Sequence, residues 1–291
     1  MTNAGVQELS TLERSLEAPL EWPEERLIEP CKRRVRLRDL VRDLAVVRVL
    51  ASRDLKVKYK QSLLGPLWLF FQPLALLAGF LVAFQHFAGV KVSGQPYAVF
   101  VLVGLSAWSY FQAAMTIGTA SLVTNMNLVR YTPCPRVAFL SSSVISSLPT
   151  YAVTVTGAFV ATAATGHLSA RVLLLPVVLL WLALLTLACI AILGTLTVRY
   201  RDVTSALPFL LQVGVFLAPV GYPLSQLSPT VRAIVELNPI AGVIEASRWV
   251  MLSGYEPAVT AIVVALGVTA VLSAFAWWYF SLRETTMADD I

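Results

Sequence analysis

Few residues in this chain could do chemistry, and most of them lie outside its long apolar stretches. No Asp, Glu, Lys or Arg occurs between Leu64 and Val90, Pro96 and Val129, Val137 and Ala170, Val172 and Val198, Val203 and Val231, or Pro257 and Leu282. The two histidines, His86 and His167, fall near the ends of their stretches with no Cys or carboxylate at ligand spacing, so no metal site is indicated. No glycine is followed by Lys, which excludes the Gly-x-x-x-x-Gly-Lys-Ser/Thr loop that cradles ATP phosphates. No Gly-x-Ser-x-Gly nucleophile stands out. Ion-coupled carriers place ionisable groups inside the membrane, and these stretches offer none beyond the histidines. If the chain drives a process, its energy must come from a partner chain.

The ionisable groups that remain are clustered. Residues 31 to 60 hold eleven Lys and Arg against Asp39, Asp43 and Asp54, ending in Lys56, Lys58 and Lys60. Basic residues at a membrane neck serve anionic headgroups, so this is a lipid-facing pattern rather than a nucleic-acid surface. Glu245 and Arg248 are three apart, a helical spacing that pairs them as structure rather than catalysis. Asp202 follows Arg199, Tyr200 and Arg201 at a helix start, where a negative charge is favourable.

The elements that position these groups are membrane spans. A hydrocarbon core of about 30 Å needs roughly 20 apolar residues in helix, and each charge-free stretch is long enough. The expectation is an all-α membrane protein with six spans over about 64–90, 97–122, 137–164, 172–198, 203–222 and 257–282. Composition agrees: 57% hydrophobic, 13% charged, and a mean hydropathy of +0.73. Thirteen Lys or Arg precede the first span, and Arg130, Arg136, Arg199, Arg201 and Arg283 fall on the same side; only Lys91, Arg171, Arg232 and Arg248 fall on the other. The positive-inside rule then puts both termini in the cytoplasm, as an even span count requires. Cys31, Cys134 and Cys189 have no spacing that suggests a disulfide framework or thiolate site.

Residues 1–30 are rich in Glu and Pro and read as a solvated tail, with no cleaved signal peptide evident. Over 31–62, Leu37, Leu40, Val41, Leu44, Val47 and Leu50 recur at helical spacing opposite charged residues. This predicts an amphipathic helix, either lying in the cytoplasmic interface, the favoured reading, or packed against its own protein. Gly65 and Pro66 must end that helix and turn the chain into the membrane beside Trp68. Pro133 and Pro135 stiffen the loop after the second span, and that loop and the one around Arg201 are either docking surfaces or topological anchors. Pro219 breaks the fifth stretch, and Ser228 with Pro229, then Asn238 with Pro239, open two short helices. Over 223–254 these are expected to be reentrant helices dipping into the outer leaflet. Residues 284–291 form a second tail.

Taken in order, the basic amphipathic helix, the Ser62 to Trp68 corner, the Asn127 to Val129 run leading to Pro135 and Arg136, the Tyr200 to Asp202 turn with Gln212 and Pro219, and Leu237 to Pro239 with Arg248 resemble one family. It is the permease subunit of type-2 ABC exporters of the polysaccharide and teichoic-acid branch. The resemblance covers about residues 35 to 283.

It implies a homodimer of six-span subunits clasping two ATPase subunits, with ATP and Mg bound on the partner and no cofactor in this chain. The substrate implied is a lipid-linked glycan such as an O antigen, capsule or teichoic acid, in a bacterial cytoplasmic membrane. It implies a substrate entrance at Lys56, Lys58, Tyr59, Lys60, Ser62, Leu64, Gly65 and Pro66. The ATPase would couple through Asn127, Arg130, Tyr131, Pro133, Pro135, Arg136, Arg201 and Asp202. An outer gate would include Pro219, Tyr222, Asn238, Pro239, Glu245 and Arg248. Trp68, Phe70, Phe71, Phe80 and Phe84 could offer ring faces for sliding sugars, or could simply face lipid and neighbouring helices. The alternatives are a type-2 ABC permease for a drug or plain lipid, and a membrane-embedded enzyme or scaffold of lipid-linked glycan assembly. Absent acidic residues in the spans speak against the enzyme.

Overall fold

The computed structural model describes residues 37–59, 65–92, 94–131 and 135–283. Lys60, Ser62, Leu64 and Pro133, together with the tails at 1–30 and 284–291, lie outside the described residues. The described chain is helical almost throughout. Helix α1 runs Leu37–Tyr59, and a 3-10 turn at Gly65–Leu67 opens α2, Trp68–Phe80, which continues as a π-helical segment, Leu81–Phe87. Then follow α3 (Tyr97–Thr124), α4 (Met126–Tyr131), α5 (Arg136–Ser146), α6 (Leu148–Ala164), α7 (Leu175–Arg199) and α8 (Asp202–Leu217). The last three are α9 (Pro229–Glu236), α10 (Pro239–Met251) and α11 (Val259–Arg283).

Helix α3 is the axis of the bundle and touches α5, α6, α7, α8 and α10. Its small residues permit this. A Cβ added to Gly118 would lie 2.5 Å from Cδ1 of Ile190 on α7, so these two helices meet where the side chain is missing. Gly242 does the same for α10 against α11, where a Cβ would fall 2.3 Å from that of Ala265. Close backbone approach through small residues is how helices associate in lipid, where apolar burial alone gives no preference for helix over acyl chain.

Among the described residues five helical segments, not six, are long and apolar enough to cross a membrane: Gly65–Phe87, Tyr97–Thr124, Arg136–Ala164, Ala170–Arg199 and Val259–Arg283. The expected span over 203–222 fails the test. Helix α8 has 16 residues, about 24 Å at the helical rise, against a hydrocarbon core of about 30 Å. Absence of charge continues past Leu217, but the helix does not, because Ala218 turns to an extended conformation ahead of Pro219. An even number of spans therefore no longer fixes the termini.

Two further expectations are corrected. Helix α1 is present, but it is no separate interface element: Val47, Leu50 and Ala51 are buried, and Val47 and Leu50 join a cluster with Val129, Ala138, Phe139 and Phe280. Of the expected stripe, Val47 and Leu50 are used against the protein's own helices, chiefly α5, while Leu44 is exposed. The two short helices over 223–254 also exist, but not as a reentrant pair. Helix α10 is a core element, buried from Ile240 to Arg248 and packed on α3, α7 and α11. Helix α9 covers little and leaves Val231 and Ile234 exposed.

The apolar packing falls into two clusters. One gathers the first half of α3 with α10 and the residues around Ala218 and Val220; the other gathers α1, the second half of α3, α5, the end of α7 and the start of α8. Phe280, near the end of α11, lies in the second cluster. Arg53, Arg136, Arg199 and Arg283 belong to elements that end or begin there, and Arg201 lies in the turn between α7 and α8.

Candidate functional site

The end of the bundle near α10 is organised by one buried ion pair. Asn238 caps α10 by accepting from the Ile240 amide at 3.3 Å, and Pro239 needs no amide partner in the first turn. That start places Glu245 and Arg248 one turn apart on the same face, with side chains 1% and 0% exposed. Arg248 Nη1 donates to Glu245 Oε1 at 3.1 Å, and Nη2 donates to the Val220 carbonyl at 2.8 Å. The guanidinium carbon sits 3.5 Å from the Phe100 ring centroid, a cation over an aromatic face. Nε is buried without a hydrogen-bond partner.

Glu245 is satisfied from the other side. The Tyr255 hydroxyl lies 3.0 Å and 3.1 Å from its two oxygens, and the Ala258 amide donates to Oε2 at 3.1 Å. Burial, more than any other influence, pushes the Tyr255 phenol well above its ordinary value, with the Arg248 charge working against the shift. The phenol therefore stays protonated and remains a donor to the carboxylate.

Through these contacts one pair joins α3, α10, the start of α11 and the broken backbone after α8. Gly104 makes room for it, since a Cβ there would stand 3.0 Å from Nη2 of Arg248. The break is fastened again by Tyr97, whose hydroxyl donates to the Gly221 carbonyl at 2.7 Å. Tyr222 folds back on the last turn of α8, its hydroxyl shared between the carbonyls of Phe216 (3.2 Å) and Leu217 (3.3 Å). Its own phenol is also raised by burial.

The five candidate ring-face residues divide. Trp68, Phe70 and Phe71 are each about half exposed on α2. Phe80 is buried, stacks with Phe84 (5.4 Å) and meets Phe216 with tilted rings (5.7 Å), while Phe84 reaches Tyr222 (6.3 Å). Phe80 and Phe84 thus belong with the α8 break, and the other three face outwards.

At the opposite end, Gly65 takes a φ of +48°, the left-handed region that glycine favours, and Pro66 is exposed beside it. Lys56 is exposed, Lys58 and Tyr59 fall in the last turn of α1, and Asn127, Arg130 and Tyr131 lie in α4. Side chains of Lys58, Tyr59, Arg130 and Tyr131 lie outside the described residues. Pro135 precedes α5 in an extended conformation with Arg136 as its first residue, and Arg201 and Asp202 are exposed at the start of α8. No group of three or more His, Cys, Asp or Glu could hold a metal among the described residues.

Sequence reasoning missed the partners of the ion pair. Phe100, Gly104, Val220, Tyr255 and Tyr97 carry no local signal of this role. What could have been read is that an Arg and a Glu on a mostly apolar helix need buried partners.

Several known proteins are similar to this chain. An O-antigen export system permease protein RfbA of Myxococcus xanthus is 26% identical over 258 residues, 88% of this chain and 98% of the relative. An RfbA of Klebsiella pneumoniae is 28% identical over 73% of this chain and 81% of its own length. The polysialic acid transport protein KpsM of Escherichia coli is 24% identical over 72% and 82% respectively. The ABC-2 type transporter family matches residues 45–252, from the middle of α1 through the buried ion pair to the end of α10, and the chain belongs to that family.

Proposed function

We propose that this chain is the membrane subunit of an ATP-driven exporter that moves a lipid-linked glycan across the bacterial cytoplasmic membrane. The observation that carries the reading is the similarity to an O-antigen export permease over 98% of that protein's length. The chain has no phosphate loop of its own, so two copies would work with two ATPase subunits that bind ATP and Mg. The end bearing Arg53, Arg136, Arg199, Arg201 and Arg283 faces the cytoplasm, following the excess of basic residues there.

On this reading the lysines before Gly65 meet the lipid diphosphate at headgroup depth, where an ammonium need not cross hydrocarbon. The residues from Asn127 to Arg136, with Arg201 and Asp202, receive the ATPase. The Glu245 and Arg248 knot, with Pro219, Tyr222, Asn238 and Pro239, holds the outer exit. The segment Gly65–Phe87, which contains α2, is the least enclosed span, with 11% of its apolar window buried, which suits a face covered by the second copy and by glycan or lipid.

The test is deletion of the gene in its own strain. Lipid-linked glycan should accumulate on the cytoplasmic side and disappear from the surface, with restoration by the wild-type gene. Unchanged surface glycan together with altered drug susceptibility would assign the chain to drug export instead.

A further inference from the structure

A hydrogen-bonded group at the basic end connects two segments that lie far apart in the chain. Arg53 Nη2 on α1 donates to Asp54 Oδ1 at 2.9 Å and also to Oδ1 of Asn125, the residue between α3 and α4. Asn125 Nδ2 donates to the Ser121 carbonyl at 2.8 Å, which leaves the amide oxygen turned towards the arginine. The second oxygen of Asp54 lies 3.3 Å from the Ser142 hydroxyl of α5, which shares its hydrogen with the Phe139 carbonyl at 2.8 Å. Below this group Val47 and Leu50 of α1 share an apolar cluster with Val129 of α4 and Ala138 and Phe139 of α5.

Arg53 is 40% exposed, and ion pairs of that exposure contribute little to stability. The geometry is therefore better explained by position than by stability. Asn125 is the last residue before the short helix and proline-bounded loop that lead to Arg136. Arg53 sits in the last two turns of α1. A bond between them fixes the distance between the two segments that the proposed ATPase partner would push. A force applied to one must then move the other, provided the link does not give.

We infer that Arg53 and Asn125 are positioning residues for power transmission: their bond, backed by Asp54 and Ser142, makes α1 and α4 a single lever. The inference rests on the reading that an ATPase docks at this end.

The test uses the full chain with its ATPase in lipid discs, with Cys31, Cys134 and Cys189 replaced by serine. Spin labels are placed at Val49 and Met126, both exposed. Distances between labels are recorded without nucleotide and after trapping with ATP, Mg and vanadate. The otherwise unsubstituted chain should show one narrow distance in both states. Asn125→Ala and Arg53→Ala should each retain the ATPase and the thermal midpoint. On trapping, however, the population outside the main distance should rise about threefold to tenfold. The double variant should add nothing further, because each change alone breaks the same link. Asn125→Asp keeps an acceptor and should keep the narrow distance. An unchanged narrow distance in Asn125→Ala overturns the inference, as does loss of the ATPase from that variant, which would make the residue a docking contact. Failure of the unsubstituted chain to hold an ATPase, seen before any variant is made, would instead sink the functional reading on which the lever depends.

Discussion

Arg248 of α10 stands over Phe100 of α3 with its guanidinium carbon 3.5 Å from the ring centroid, while its Nη2 holds the Val220 carbonyl at 2.8 Å. The same side chain thus grips a helix that stays whole and a segment that has left helical geometry. A backbone carbonyl freed by the break after Leu217 is satisfied by a charge that is itself satisfied by Glu245. This interlock lets irregular backbone sit among apolar helices, where an unpartnered carbonyl is costly.

Removing either charge should leave the other buried and unpaired. Glu245→Gln or Arg248→Met is expected to lower stability by about 3–5 kcal/mol, and converting both to Met should recover part of that loss. Phe100→Leu, which removes only the ring face, should cost about 1–2 kcal/mol. Thermal unfolding of the purified chain in lipid discs ranks the four variants. Equal effects from the ring and charge substitutions would show that the pair is not the centre of the interlock.

The approach of α3 to α7 gives a separate, steric prediction. A Cβ at Gly118 would fall 2.5 Å, 2.7 Å and 2.8 Å from three side-chain carbons of Ile190. Gly118→Ala should destabilise by about 1–3 kcal/mol, the usual range for overpacking, and Ile190→Ala should relieve it in the double variant. The readout is the same unfolding measurement. A double variant no better than Gly118→Ala alone would mean that the backbones cannot re-approach after the side chain is trimmed.

How much of this was legible in the sequence follows from what each signal measures. Charge-free runs located the apolar helices, but they are blind to where the backbone breaks. The run from Val203 to Val231 looked like a span although Pro219 ends its helix early. The periodic apolar residues of α1 announced a buried stripe, yet periodicity does not say whether lipid or protein covers it, and Val47 and Leu50 turned out to meet α5. The spacing of Glu245 and Arg248 gave the pair, but their other partners come from distant segments. The Arg53 and Asn125 bond spans 72 positions, a contact that only the folded bundle creates.

The lysines before the first apolar helix make a charge-based prediction for the proposed substrate. Lys56, Lys58 and Lys60 precede the turn that Gly65 makes at a φ of +48°. Replacing Lys58 and Lys60 by Gln, or Gly65 by a bulky residue such as Leu, should reduce surface glycan in the native strain while membrane insertion and dimer assembly persist. Surface glycan would be measured by immunoblot and assembly by crosslinking. Wild-type export by these variants would remove the corner from the mechanism.

A chain without a nucleotide site can be driven only through contacts stiff enough to convey motion. Pro133 and Pro135 limit the backbone between α4 and α5, and Pro135 leads directly into α5, where Arg136 begins a segment long enough to cross the membrane. Movement at the loop should therefore reach the bundle through α5, which α1 also braces. Pro133→Gly with Pro135→Gly should leave dimer assembly and ATPase affinity intact but lower glycan exported per ATP hydrolysed by about threefold or more, the scale on which changes along a coupling path act. The measurement is paired export and phosphate release in vesicles containing the complex. Unchanged export per ATP would make the loop a topological anchor, and the drive would then have to enter through α1 alone.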